Sequence, residues 1–131
     1  MKTIYKEDDA MTANEFIKKT RKVHKFTGAF GDDFKIEEKR PRVICADGYS
    51  VSMQVGDGLY SEPREYGADY YSEVELGYPN MEDELINEYA ECGWDDDDNR
   101  IYNYTKTVYP YVPVEIVDKL FEKHGGIVNE F

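Results

Sequence analysis

Residues 42–56 carry the sequence RVICADGYSVSMQVG, in which Asp47 and Gly48 separate two runs rich in β-branched side chains. This pattern is typical of a β-hairpin, because glycine adopts the positive φ of a tight turn without steric cost and aspartate tolerates it. A two-residue loop at Asp47 and Gly48 pairs Ile44 with Val51. The expected apolar face then holds Ile44, Tyr49, Val51, Met53 and Val55, and the mostly polar face holds Val43, Cys45, Ser50, Ser52 and Gln54. The sequence therefore predicts a hairpin with one buried face.

The remaining chain predicts two more long strands, at 70–76 and 101–108, and three helices, at 13–25, 81–91 and 113–124. The first helix begins with a capping box between Thr12 and Glu15, the second follows Asn80 as its N-cap, and the third starts at Pro113. In the strand at 70–76, Val74 and Leu76 are expected to face the core. We therefore expect an α+β fold: an antiparallel sheet of three to four strands around the 42–56 hairpin, with the helices mainly on one face.

Length and composition indicate one globular domain spanning residues 1–131. A chain of 131 residues with 40% hydrophobic residues can bury a core without metals or disulfides. Residues 1–10 are expected either to add a short strand at 3–5 or to fray. The N-terminus lacks the apolar stretch of a signal peptide, and no apolar run approaches membrane-spanning length. These patterns favour a cytoplasmic protein.

The net charge of −12 is unevenly distributed along the chain. Residues 1–41 hold ten Lys and Arg against eight Asp and Glu, a net charge of +2. Residues 42–131 hold six Lys and Arg against twenty Asp and Glu, a net charge of −14. Such a field repels nucleic acid and anionic membranes and attracts basic surfaces, although acidity also serves solubility alone. We expect a basic protein partner, without direct nucleic-acid or membrane binding.

Zinc is the first metal to consider, because the chain contains Cys45, Cys92, His24 and His124. Soft nitrogen and sulfur ligands suit zinc, but no two of these residues have the close spacing of a zinc finger or ribbon. Isolated cysteines are usually small core hydrophobes, and two reduced thiols are the default for a cytosolic chain. We therefore predict no metal, with a zinc-stabilised interaction module as an alternative.

Calcium is the second metal to consider, because Asp95, Asp97 and Asn99 have the 1, 3, 5 spacing of an EF-hand loop. Arg100 stands where that loop needs a glycine, and Lys106 stands where it needs a bidentate glutamate. The residues from Asp95 to Asn99 are therefore interpreted as a charged loop.

Catalytic signatures are missing from the sequence. The serines lack a nucleophile-elbow context, and no glycine-rich phosphate loop is present. We therefore predict a non-enzymatic protein without catalytic residues or cofactors.

Two acidic loops that contain aromatic residues are the candidate partner-binding sites. Tyrosine and tryptophan combine a large apolar body with a polar tip and are enriched at protein interfaces. The first loop contributes Asp57, Tyr60, Glu62, Glu65 and Tyr66. The second loop contributes Trp94, Asp95, Asp96, Asp97 and Asp98.

Several segments resemble small acidic proteins encoded by bacteriophages and prophages of Gram-positive bacteria. These segments are VICADGYSVSMQ (43–54), SEPR (61–64), YP (78–79), YPYVP (109–113) and HGG (124–126). Such proteins are similar in kind to anti-CRISPR proteins, which inhibit Cas nucleases. The resemblance implies a nucleic-acid mimic in the host bacterial cytoplasm that binds Cas9 or its guide-RNA complex, whose nucleic acid lies in a basic channel. The alternative is a phage accessory protein that binds another host replication or transcription protein.

Overall fold

The computed structural model describes residues 10–131, so the predicted strand at 3–5 lies outside the described residues. In chain order the elements are α1 (Ala13–Lys19), β1 (Val23–Thr27), β2 (Asp33–Glu37), β3 (Val43–Ile44), β4 (Ser50–Gln54), β5 (Glu73–Gly77), β6 (Gly93–Trp94), β7 (Arg100–Ile101), β8 (Val108–Pro113) and α2 (Val114–Lys123).

An antiparallel sheet with the strand order β3-β4-β5-β8 forms the centre of the fold, which confirms the predicted α+β class. β1–β2 and β6–β7 form two further two-stranded sheets. Within residues 10–131, none of the helices combines the length and apolar character that crossing a membrane requires.

The hairpin between β3 and β4 forms as predicted, but its register differs by one residue. Val43 pairs with Val51, and the amide of Gly48 donates to the carbonyl of Cys45 at 3.0 Å. The loop therefore contains three residues, 46–48, with Gly48 at a φ of 96°. This extra loop residue reverses the faces of β3, so Val43 and Cys45 are buried while Ile44 is 46% exposed. The predicted burial of Ile44 and exposure of Val43 and Cys45 are wrong.

Both helices place their apolar side chains on the inner face of the central sheet. The capping box of Thr12 and Glu15 is present, but α1 ends at Lys19 and the predicted end at 25 is wrong. The Thr20 hydroxyl bonds to the Phe16 carbonyl at 2.7 Å, and the chain then extends into β1. α2 matches the predicted helix at 113–124 to within one residue at each end. The largest core side chains include Phe16, Ile17, Tyr49, Met53, Tyr71, Leu76, Tyr109, Leu120 and Phe121.

The predicted helix at 81–91 is wrong, since only a 3₁₀ turn at Asn87–Tyr89 occurs there. Asn80, the expected N-cap, instead bonds to the first hairpin. Its amide nitrogen donates to the Gly48 carbonyl at 2.8 Å, and its amide oxygen accepts from the Ser50 amide at 2.9 Å. The Asn80 side chain is therefore bonded to the first hairpin and does not cap a helix.

The strand predicted at 70–76 corresponds to β5, and its Val74 and Leu76 are buried as expected. The strand predicted at 101–108 is wrong, because only Arg100–Ile101 and Val108 of that region are extended in strands. The last strand, β8, instead contains Pro110. Proline removes a donor from a sheet, and the edge position of β8 accommodates that loss.

Both edges of the central sheet carry further hydrogen bonds. Along β3, residues 127–129 of the tail approach the strand, and the Val128 amide donates to the Ile44 carbonyl at 2.8 Å. Along β8, the Tyr111 amide donates to the Tyr60 carbonyl at 3.0 Å. The tail and the loop after β4 therefore cover the two edge strands.

Candidate protein-binding surface

A groove with a volume of about 370 Å³ lies on the outer face of the central sheet. Its floor contains two cross-strand pairs, Ser52 with Gly77 and Gln54 with Glu75. Gly77 contributes no side chain, and a Cβ built there meets only the Val108 side chain, at 3.6 Å. The missing side chain therefore leaves open space above the centre of the sheet.

Hydrogen bonds to the floor fix both walls of the groove. One wall is the segment 38–40: the Gln54 side chain accepts from the Arg40 amide and donates to the Arg40 carbonyl, each at 3.0 Å. The other wall is the loop 56–66, whose Tyr60 amide donates to Oε2 of Glu75 at 3.1 Å. The shape of the groove therefore depends on contacts between distant parts of the chain.

Tyr66 forms an aromatic part of the second wall. A Cβ on Gly56 would lie 2.1 Å from the Tyr66 ring, and Gly56 has a φ of 132°, so only glycine allows this contact. The buried Ser61 hydroxyl accepts from the Gly56 amide at 3.1 Å and donates to the Pro63 carbonyl at 2.9 Å. The backbone behind the Tyr66 ring is thus held by several independent contacts. Tyr78, which is 53% exposed, is a second aromatic residue of the groove.

A buried ionic cluster supports the first wall. Arg40 Nη2 lies 2.9 Å from Glu37 Oε2, and Arg40 also donates to the Ile17 carbonyl near the end of α1. Arg21 Nε lies 3.0 Å from Glu37 Oε1, close enough for an ion pair although its N–H is not aligned for a hydrogen bond. The Arg40 charge is therefore engaged inside the protein, beneath the segment 38–40.

The charges that remain around the groove are mainly negative. Glu38, Asp57 and Glu75 line it, whereas Lys39 is the lining cation that makes no ion pair within residues 10–131. Carboxylates attract cations by Coulomb attraction, and the faces of tyrosine rings attract them through the ring quadrupole.

The structure brings only part of the first predicted loop into the groove. Asp57 and Tyr66 line it. Tyr60 lies beside it, with its ring 5.7 Å from the Tyr111 ring and 5.6 Å from the Arg64 guanidinium. The side chains of the other two predicted residues, Glu62 and Glu65, are exposed and outside the groove lining.

The second predicted loop lies in a separate hairpin. Trp94, on β6, is 61% exposed and has the Arg100 guanidinium 5.7 Å from its ring. The Glu91 amide bonds to Val108 at the start of β8, whereas the first loop bonds farther along that strand. The two predicted loops therefore approach β8 at different points.

The Asp95–Asp98 run forms the tip of this hairpin. The Asp95 carboxylate accepts from the amides of Asn99 and Asp97, each at 2.9 Å, and the bond from Asn99 contributes most to lowering its pKa. The other three carboxylates, those of Asp96, Asp97 and Asp98, are exposed. One aspartate therefore shapes the loop and three are available to a partner.

The four candidate zinc ligands lie on different elements. Burial, followed by the nearby Asp47 charge, raises the pKa of Cys45 to about 11. His24 is exposed and lies 3.4 Å from Glu38, and Cys92 precedes β6. In the part of the chain that the structure describes, no group of three or more His, Cys, Asp or Glu side chains is placed to hold a metal ion.

His124 instead joins the end of α2 to the first hairpin. Its Nδ1 lies 2.6 Å from an Asp47 oxygen, its Nε2 lies 2.7 Å from an Asp83 oxygen, and its ring stacks on Tyr49 at 4.1 Å. Carboxylate oxygens only accept hydrogen bonds, so the protonated imidazolium, with two N–H donors, satisfies both contacts. Lys123 adds a contact to Asp83 at 3.1 Å. This cluster is a structural link between helix and hairpin.

Comparison with known proteins identifies no relative. No family model, curated protein or solved structure matches this chain. Sequence reasoning missed the groove residues Gln54, Glu75, Gly77 and Tyr78, although the alternation of β4 and β5 places the first three on the outer face.

Proposed function

We propose that this chain is a non-enzymatic binding protein that covers a basic, nucleic-acid-binding surface of another protein. The observation that carries the proposal is the grouping of Glu38, Asp57 and Glu75 with two tyrosines around one groove. The overall charge of −12 acts in the same direction, because it accelerates encounter with a basic surface. In this function the acidic surface takes the place of a nucleic-acid phosphate backbone.

The first partner to test is the Cas9 nuclease of a type II CRISPR system, or its complex with guide RNA. The sequence resemblance to phage proteins selects this partner, and the chemistry agrees, since Cas9 holds its heteroduplex in a positively charged channel. The chain would act in the cytoplasm of a bacterial host as a phage-encoded inhibitor.

A cleavage assay with purified Cas9, guide RNA and target DNA tests the partner. We expect that a molar excess of this protein inhibits cleavage, and that inhibition weakens as the salt concentration rises because exposed charges are screened. Full cleavage at every excess, with several Cas9 orthologues, would show that Cas9 is not the partner. Capture of replication or transcription proteins from host lysate would then favour the alternative function.

Two matched variants separate the local surface from the total charge. The first combines Glu38→Gln, Asp57→Asn and Glu75→Gln at the groove. The second combines Glu88→Gln, Glu122→Gln and Glu130→Gln, which are exposed and lie outside the groove lining. Both variants remove the same charge. We expect the first to slow association with the partner about tenfold and the second to have a much smaller effect; equal effects would show that only net charge matters.

A further inference from the structure

We propose that the groove on the outer face of the sheet accepts an arginine side chain of the protein partner. This inference rests on the proposed function, since the partner is the basic protein described above, and it adds the chemical group that the groove recognises. The carboxylates, the aromatic walls and the space above Gly77 support this inference.

Glu75 is placed to bind a guanidinium. Its Oε2 accepts from the Tyr60 amide at 3.1 Å, which fixes the carboxylate on the floor, and its Oε1 accepts no hydrogen bond from the described residues. Arginine presents several N–H donors in one plane, so it can bond to Oε1 while Asp57 and Glu38 contribute charge from the lining. A lysine ammonium fits the charge but not the planar arrangement.

The aromatic walls favour arginine for a second reason. A guanidinium stacks on an aromatic face, and the Tyr66 ring is held in place by its contact with Gly56. The chain already contains this kind of pair at two exposed positions: Arg64 lies 5.6 Å from the Tyr60 ring, and Arg100 lies 5.7 Å from the Trp94 ring. Lys19 also lies over an aromatic ring, 5.8 Å from the centre of Phe131, so it is the planar stacking of the guanidinium that favours arginine in the groove.

The two cations that line the groove, Arg40 and Lys39, do not balance its carboxylates. The Arg40 guanidinium is buried and engaged by Glu37 and the Ile17 carbonyl. Lys39, which is exposed, makes no ion pair among the residues described. The volume of about 370 Å³ lies within the range of small-ligand pockets. The groove therefore has the space and the unmatched negative charge that an incoming cation requires.

Nuclear magnetic resonance titration of the full chain tests the proposal with three small probes. The probes are N-acetyl-arginine methylamide, the corresponding lysine compound and the corresponding citrulline compound, which has the shape of arginine without its charge. We expect saturable shifts of the Glu75, Gly77 and Tyr78 amides with arginine, weaker shifts with lysine and none with citrulline. Equal responses to all three probes, or arginine shifts confined to other regions, would overturn the proposal.

Two variants with one control test the residues. Glu75→Gln should weaken arginine binding about tenfold, because it removes the charge while keeping an acceptor for Tyr60. Glu73→Gln, on the same strand but outside the groove lining, should change binding less than about twofold. Gly77→Val should abolish binding by filling the floor, and Gly77→Ala serves if the valine variant does not fold. Unchanged arginine binding in the folded Gly77 variant would also overturn the proposal.

The outcomes distinguish this inference from the proposed function. If no probe binds the groove but the protein still captures a basic nucleic-acid-binding partner, the arginine site is wrong and the proposed function stands. If arginine binds the groove but no such partner is captured, the site stands and the proposed function is wrong.

Discussion

The hairpins β3–β4 and β6–β7 contain the same loop but have opposite surroundings. In the first hairpin, the Cys45 amide donates to the carbonyl four residues later, and the Cys45 carbonyl accepts from the amide three residues later. Asp95 makes the same two bonds in the second hairpin. The residue three positions later has a positive φ, 96° at Gly48 and 62° at Asp98. The corresponding triplets are Cys45, Gly48 and Tyr49 in the first hairpin and Asp95, Asp98 and Asn99 in the second.

The difference lies in what surrounds each loop. The first hairpin is flanked by buried side chains, and the carboxylate of its Asp47 is bonded to His124 of another element. The second hairpin is flanked by exposed residues, and among residues 10–131 its Asp95 carboxylate bonds only to amides and a side chain of its own loop. Turn geometry is thus a local property, whereas the contribution of a hairpin to the fold depends on contacts outside the turn.

Removal of His124 should have the largest effect on stability. His124→Ala leaves the buried Asp83 carboxylate without its closest partner, and breaking a buried ion pair costs about 3 kcal/mol. We expect a matching decrease in the free energy of unfolding measured by urea denaturation. Lys123→Ala is the control, because the Lys123 side chain is 45% exposed and its loss should cost far less. Equal stability of the two variants would show that His124 is not a structural link.

Acid should destabilise the fold mainly through the carboxylates that contact His124, those of Asp47 and Asp83. The pKa of Asp47 is lowered by the hydrogen bond from the Tyr49 amide and then by the contact with His124. Burial raises the pKa of Asp83, but hydrogen bonds from the Leu85 amide, His124 and Lys123 outweigh burial, so the pKa of Asp83 is also lowered. A carboxyl group whose pKa is lowered by folding stabilises the folded state at pH values above its pKa in the unfolded chain, which is near 3.8. This contribution is lost as the pH falls through the pKa of the folded state. The free energy of unfolding should therefore fall as the solution is acidified below about pH 4.

Two variants assign this pH dependence to the His124 contacts or to the second hairpin loop. Asp83→Asn should flatten the decrease in stability at acid pH. Asp95→Asn should leave it nearly unchanged, because the Asp95 pKa is also lowered but its bonds are confined to an exposed loop. Urea denaturation from neutral pH to pH values below 3.8 measures both. A larger effect of Asp95→Asn would contradict the comparison.

The residue with positive φ in each loop offers a smaller test. At Gly48 a Cβ would meet no atom within 4 Å, so Gly48→Ala should cost only the backbone strain, about 1–2 kcal/mol. Asp98→Gly removes that strain but adds freedom to the unfolded chain, so the two effects offset and stability should change by less than about 0.5 kcal/mol. Thermal denaturation measures both variants, and a large gain with Asp98→Gly would show that the second loop is strained.

The smallest effect on folding is expected from replacing all four aspartates of the second loop, Asp95 to Asp98, with asparagine. Exposed charges contribute about 0–1 kcal/mol each, and the asparagine side chain at position 95 still accepts the loop amides. The melting temperature should remain unchanged or rise slightly as repulsion is removed. Association with a basic partner should slow and lose part of its salt dependence. Unfolding of the variant would instead show that the loop carboxylates are structural.

Much of the fold follows from local sequence patterns, and the wrong predictions arise where contacts between distant parts of the chain override those patterns. The capping box at Thr12, the apolar stripe of α2 and the turn at Gly48 are local signals, and each is present in the structure. Asn80 has the chemistry of a helix cap, but the nearby hairpin offers it two backbone groups. The carboxylate of Asp83, in the segment predicted to be the second helix, is bonded to His124.

The sequence predicts only part of the candidate site. Asp57 and Tyr66 could be selected because acidic and aromatic residues share a turn-rich loop. The floor of the groove could not be predicted, because the pairing of Gln54 with Glu75 depends on the register of two strands that are distant in sequence. The first wall depends on the burial of Arg40, whose guanidinium donates to the carbonyl of Ile17 in a helix that is distant in sequence.

The covered edges of the central sheet limit how this chain assembles with others. An open edge strand is a template for a strand of a second molecule, and many complexes and aggregates form in that way. Here the tail at 127–129 occupies β3 and the loop at Tyr60 occupies part of β8, so the central sheet presents fewer free backbone groups to a partner than open edges would. Loss of the tail would expose the amide and carbonyl groups beside Ile44, and that edge would then offer a template for pairing with a strand of a second molecule.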